Sequence, residues 1–334
     1  VDQVPTPSMG PDEALLKVIA AGVCGTDVRI FQGAHRKYPP GTVRVPGHEV
    51  VGEVADVGPD VEGVRVGQRM FVAPNIGCGH CRQCVSGRNN RCAAYDALGV
   101  TLDGAFAEFM RIPAAAIRQG NLIPVASGVE PAAAALVEPL ACVLNGQTAV
   151  SVKPGDVVLI MGAGPIGVMH ALLARLTGAG RVVVSDFLAD RLTFAKRMGA
   201  DRVVNLREED LPAVLAEESR GEGADVIIVA APSRAAQEEA LRLAAIGGRI
   251  NFFGGLPKGD SIISFDSNLV HYKELCVTGT SACSSDDCWR AAAIVNSGRI
   301  DLSSLVSAVL PLRKILDAFL MAEDKSSIKI VVEP

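Results

Sequence analysis

The chain has 334 residues, more than one hydrophobic core usually organises, and 49% apolar with 21% charged residues is a globular balance. A net charge of −5, with no run of Lys or Arg to track phosphates, argues against nucleic acid as a partner. No uninterrupted apolar stretch reaches the ~18 residues of a membrane span; the longest, Ala132 to Val150, is cut by Glu138, Pro139, Asn145 and Gln147.

Val1 to Met9 are neither basic nor followed by an apolar run, so no signal peptide is read there, and the opening Val suggests a preceding piece. Nine cysteines do not read as a disulfide framework; four of them fall from Cys78 to Cys92, a clustering that reads as metal binding in a cytoplasmic protein. Aromatics are 4%, with aliphatic residues in their place, which favours a buried parallel sheet.

In chain order, residues 12 to about 112 carry short alternating runs such as Glu49–Val57 and Arg69–Ala73, rich in Val, Gly and Pro. They predict a barrel-like β domain. A helix is expected over Pro131–Ala149, carrying Glu138. From Asp156 the pattern changes to apolar strand runs at Val157–Met161, Arg181–Asp186, Asp225–Ala230 and Gly248–Phe253. Helical stretches at Pro165–Leu176, Asp190–Met198, Leu211–Ser219 and Ala235–Ala245 alternate with them. Such alternation builds a parallel sheet covered on both faces. Leu275–Thr280 reads as its last strand, whose free edge could pair in an oligomer. The tail to 334 mixes helix and strand.

Gly162-Ala163-Gly164-Pro165-Ile166-Gly167 follows one strand run and opens a helix. Gly162 permits the turn, Gly164 lets a pyrophosphate approach the backbone, and Gly167 lets helix and strand pack closely. The next strand run ends at Asp186, about twenty residues on, where a carboxylate accepts from ribose hydroxyls and repels a 2′-phosphate. The pattern therefore predicts NAD over NADP. Arg191 is close enough to stack on adenine or to hold a phosphate, and Gly254 and Thr280, at the ends of the last two strand runs, complete the candidate cofactor contacts.

Cys78, Cys81, Cys84 and Cys92 offer four thiolates in one short lobe (77–93), enough to close a structural zinc shell. Cys24, His48, Glu49 and Glu138 are dispersed, and no spacing rule joins them. Cys142, Cys276, Cys283 and Cys288 read as packing residues, as do His170 and His271.

The ordered set Cys24-Gly25-Thr26-Asp27, Gly47-His48-Glu49, the four-cysteine lobe and Gly162–Gly167 resembles the zinc-containing medium-chain dehydrogenase/reductase family along essentially the whole chain. Glu138-Pro139-Leu140-Ala141-Cys142 is most similar to its sorbitol (L-iditol) dehydrogenase-like polyol branch. Threonine dehydrogenases share that glutamate. The resemblance implies a GroES-like β domain (1–141 and 276–334) interrupted by a Rossmann domain (142–275), with the active site in the cleft. It implies a second, catalytic zinc held by Cys24, His48 and Glu138, with Glu49 binding directly or through water. Thr26 would accept the substrate proton as NAD⁺ takes hydride from a polyol's secondary alcohol. L-Threonine and phosphorylated polyols such as galactitol 1-phosphate are the alternative substrates, and a homodimer or homotetramer is implied. Many relatives end the proton relay with a histidine where this chain has Arg29, which points to a water, His35, or an anion held by Arg29.

Overall fold

The computed structural model describes residues 1–35, 37–39, 41–324 and 327–334. The chain forms two compact units, Val1–Ala141 with Cys283–Pro334, and Cys142–Ala282.

The first unit is built on a seven-stranded sheet whose centre is Ala14–Val23. On one side this strand pairs antiparallel with Glu49–Val57, which continues to Arg69–Val72 and Leu122–Pro124. On the other lie Lys329–Glu333 and, parallel to it, Val306–Pro311. Phe109–Ile112 also pairs with Ala14–Val23. Alternate side chains of the central strand, Leu16 and Val18 among them, enter a core with Val50, Val54, Met110 and Ile112. Each such aliphatic side chain contributes about 1.5–3 kcal/mol when fully buried. The two-stranded ladder Asn75–Ile76 with Asp96–Ala97 closes the neck of the four-cysteine lobe.

The second unit holds a six-stranded parallel sheet. Its order is Arg202–Asn205, Arg181–Asp186, Val157–Met161, Ala224–Val229, Ala244–Phe252 and Cys276–Gly279. Numbered along the chain this is 3-2-1-4-5-6, the doubly wound dinucleotide-binding order. Val158, Leu159 and Ile160, with Val226, Ile227 and Ile228, are fully buried. Burial on both faces explains why these strands read as continuous apolar runs.

Two expectations need correction. The chain leaves the second unit at Cys283 and not at 276, because Cys276–Gly279 pairs with Ala244–Phe252 as the sixth parallel strand. The single helix expected over Pro131–Ala149 is two, Pro131–Ala135 and Val137–Val150, with Leu136 between them. Arg202–Asn205, partly buried and charged at one end, is a strand that its composition did not announce.

Candidate functional site

Cys24 and His48 meet because of strand register. Ala14–Val23 and Glu49–Val57 run antiparallel with Gly22 opposite Glu49. Cys24 follows the first strand and His48 precedes the second, so both emerge at the same end. The ligand atoms of Cys24, His48 and Glu49 all lie within 4.8 Å of one another. Behind them, Asp27 is fully buried and stands 3.3 Å from His48 Nδ1. Its carboxylate also accepts from Cys24 N at 2.9 Å. The contact with His48 is an ion-pair approach and not a hydrogen bond, and a carboxylate beside Nδ1 is the arrangement in which Nε2 serves a metal. Burial disfavours a charged His48, but Asp27 and Cys24 outweigh it and raise its pKa well above the usual 6.5. A metal would therefore compete with a proton there.

Glu49 is completely buried. Its Oε1 pairs with Lys329 Nζ at 2.5 Å, and Lys329 also donates to the Val23 carbonyl at 3.0 Å. Burial works against the ammonium, yet Glu49, with Cys24 and Asp27, holds the Lys329 pKa above its ordinary value. Oε2 of Glu49 has no hydrogen-bond partner among the described residues. A Cβ on Gly22 would fall 2.1 Å from that oxygen, so glycine keeps the space clear. An orphaned buried carboxylate oxygen beside a thiol and an imidazole fits a zinc ion.

Glu138 lies in the first turn of Val137–Val150 and is buried. Its carboxylate lies outside the Cys24 cluster and beside Cys283, whose Sγ is 3.7 Å from Glu138 Oε1. Of the four dispersed residues, the structure clusters Cys24, His48 and Glu49, with Glu138 outside that 4.8 Å cluster. Sequence reasoning missed Cys283 here, since nothing in its local spacing points to Glu138.

The lobe gathers its four sulfurs as expected. Cys81 and Cys84 Sγ are 3.5 Å apart, Cys78 and Cys84 Sγ 3.9 Å, and Cys92 Sγ accepts from Cys78 N at 3.4 Å. Zinc–sulfur bonds of ~2.3 Å in a tetrahedron set the sulfurs about 3.8 Å apart, so the lobe fits a closed Zn site. Backbone N–H groups of His80 and Cys81 pull the Cys78 thiol down to about 6, ready to bind at neutral pH. Burial pushes Cys84 up to about 12.

In the second unit the glycine turn links Val157–Met161 to the helix Pro165–Thr177, with Gly164 as its N-cap and Pro165 at its start. A Cβ on Gly164 would meet nothing nearer than Arg191 Nη1 at 3.8 Å, which leaves the helix N-terminus open to a phosphate. On Gly167 it would fall 1.8 Å from the Gly162 carbonyl. Ile166 is half-buried in the first helical turn. Asp186 ends its strand against the turn, its Oδ2 accepting from Ala163 N at 2.7 Å. Gly254 packs on the Ala231 backbone. Thr280 follows the last strand, and its hydroxyl donates to Asn251 Oδ1 at 3.2 Å. All the candidate cofactor residues therefore border the carboxyl ends of the sheet, where open α/β sheets bind ligands.

Thr26 is partly exposed in the helix Gly25–Phe31 and accepts from Arg29 Nη2 at 3.4 Å. Arg29 is exposed, and among the described residues it has no carboxylate partner. His35 Nδ1 accepts from Lys37 N at 3.4 Å.

Comparison with known proteins matches residues 10–124 to the alcohol dehydrogenase GroES-like domain and 165–297 to the zinc-binding dehydrogenase domain. An L-threonine 3-dehydrogenase of Chelativorans sp. is 38% identical over 92% of this chain and 87% of the relative. One from Mesorhizobium japonicum is 34% identical over 100% of this chain and 94% of the relative. The structure of an E. coli short chain alcohol dehydrogenase complexed with NADH superposes with a TM-score of 0.88 at 31% identity, covering 100% of this chain and 94% of that one. With a GroES-like unit, a Rossmann unit and full-length relatives of this kind, the chain belongs to the zinc-containing medium-chain alcohol dehydrogenase family and is a dehydrogenase.

Proposed function

We propose that the protein oxidises the 3-hydroxyl of a 2-amino-3-hydroxy acid, L-threonine first, with NAD⁺ as hydride acceptor. The extent of the match to proteins named L-threonine 3-dehydrogenase carries this reading, since it runs over 92% of this chain and 87% of the relative. The polyol reading leans on Glu138, a residue that threonine dehydrogenases share, so Glu138 does not separate the two. Arg29 favours the amino acid. An exposed guanidinium hydrogen-bonded to Thr26 suits a substrate carboxylate, and guanidinium cannot shuttle protons near neutral pH.

The residues divide the work. Cys24, His48 and Glu49 would hold the catalytic zinc, Asp27 stands behind the His48 ring, and Glu138, outside their cluster, would close on the ion as a further ligand when it binds. Zinc acts when bound as a Lewis acid that lowers the pKa of the substrate hydroxyl. Thr26 Oγ1 would accept the hydroxyl proton while passing its own on towards the cofactor ribose and water. The open turn at Gly164 takes the pyrophosphate, while Asp186 selects NAD by accepting from the ribose hydroxyls. The four-cysteine lobe holds the second, structural zinc.

A substrate panel tests this. NAD⁺ reduction by the zinc-loaded enzyme should show its highest kcat/KM with L-threonine, against D-threonine, L-serine, sorbitol, xylitol, iditol and galactitol 1-phosphate. Turnover of a polyol or its phosphate without any of L-threonine overturns the substrate assignment. No helix among the described residues is long and apolar enough to cross a membrane. The edge strand Cys276–Gly279 supports a homo-oligomer, to be measured by light scattering.

A further inference from the structure

Cys283 stands two residues before the helix Ser285–Asn296, and its place is set with unusual redundancy. The helix opens on a capping box in which Ser284 Oγ accepts from Asp287 N at 3.1 Å and Asp287 Oδ2 accepts from Ser284 N at 2.9 Å. Cys283 Sγ packs on Cys288 Sγ at 3.5 Å, and both residues are completely buried. Those positions, the residue before the cap and the fourth of the helix, are where a hydrophobic staple fixes the entry angle of a chain. The Cys283 carbonyl accepts from Asn75 Nδ2 at 2.9 Å. With backbone and sulfur both held, the thiol is aimed at Glu138 Oε1, 3.7 Å away.

Asn75 belongs to a buried amide network that reaches the four-cysteine lobe. Its carbonyl accepts from Asn89 Nδ2 at 2.7 Å and from Asn121 Nδ2 at 2.8 Å. Asn89 Oδ1 accepts from Ser285 N at 2.9 Å, and Asn121 Oδ1 from the Ser285 hydroxyl at 3.2 Å. Asn75 precedes Cys78 in the neck of the lobe, and Asn89 lies inside it, three residues before Cys92. The asparagines are 0–6% exposed, and satisfied buried networks of this kind rigidify what they join.

We propose that Cys283 is a positioning residue for Glu138, and that Asn75 and Asn89 tie it to the lobe, so that the structural-zinc lobe sets where the carboxylate stands. This rests on Glu138 being a ligand of the catalytic zinc. Groups that hydrogen-bond a metal-ligating carboxylate tune the site without touching the ion. A thiol donor also restrains the carboxylate without adding charge to it.

The test follows zinc release from the whole, zinc-loaded protein into excess EDTA, with zinc per chain read by mass spectrometry, beside steady-state kinetics. In the wild type the open site should empty before the closed four-thiolate one. Glu138→Gln should hasten the faster release, and Cys283→Ala should do so by about 10-fold, the lower end of what a lost hydrogen bond to a ligand costs. Its kcat should fall with KM for NAD⁺ unchanged, while Cys283→Ser, which keeps a donor, should restore most of both. Asn75→Ala leaves both thiols in place and should act in the same direction, which covers the case of a disturbed staple. Wild-type release in Cys283→Ala and Asn75→Ala, with acceleration in Glu138→Gln, overturns the positioning role. No acceleration in Glu138→Gln removes the ligand reading itself. Neither outcome depends on which alcohol is the substrate.

Discussion

Replacing Lys329 with Met is the most direct probe of the electrostatics behind the candidate metal ligands. Lys329 has a side chain 5% exposed, and its partner Glu49 is 0% exposed. Neither charge has a water-facing alternative. Removing one partner of such a pair leaves the other charge buried and uncompensated, which costs about 3–5 kcal/mol. The Val23 carbonyl loses its donor in the same change. Against a domain stability of about 5–15 kcal/mol, that is a large share. The loss should be greatest in the metal-free protein, because a bound cation beside Cys24 and His48 partly compensates the Glu49 carboxylate. Adding Glu49→Gln removes the stranded charge, so the double variant should recover at least about 2 kcal/mol of the loss, as neutral replacement of buried pairs does. The chain's single tryptophan, Trp289, belongs to the same unit and reports its unfolding by fluorescence during urea denaturation. A metal-free Lys329→Met protein destabilised by less than about 1 kcal/mol, the range of an exposed pair, would refute the reasoning. So would a double variant no more stable than the single one.

Other consequences are as accessible. His170 is completely buried, 4.8 Å from the Phe253 ring, and desolvation lowers its pKa from 6.5 to about 3. The unfolded chain then takes up the proton first as pH falls, so stability is present above 6.5 and drains away towards 3. At 1.36 kcal/mol per pH unit this group alone costs about 2 kcal/mol between pH 6.5 and 5, and His170→Leu should flatten that part of a thermal-denaturation profile. Asp186→Ala should raise kcat/KM for NADP⁺ relative to NAD⁺ by about 10-fold, having removed the charge that opposes a 2′-phosphate. Gly167→Ala should abolish NADH binding as read by fluorescence, since its Cβ would meet the Gly162 carbonyl at 1.8 Å. Cys84→Ser should leave one zinc per chain instead of two and lower Tm, because a structural shell contributes to folding directly.

What the chain spells out locally could be read without coordinates. Strand–helix alternation from Val157 onward, the glycines from Gly162 to Gly167 and the acid at Asp186 are short-range patterns. Each is dictated by the period of one element or by the steric demand of one turn. The four lobe cysteines sit within a few residues of one another, so spacing alone announces their shared metal. Cys24, His48 and Glu49 are different. Their convergence depends on the antiparallel register that sets Gly22 opposite Glu49, and a register is decided by pairing across the sheet. Lys329 reaches Glu49 from the far end of the chain because Val23 pairs with Ile330. Cys283, read from its spacing as a packing residue, acquires its thiol–carboxylate contact through a helix cap and a buried asparagine network. Contacts between residues distant in sequence leave no periodicity in either segment, so tertiary structure alone could bring them together.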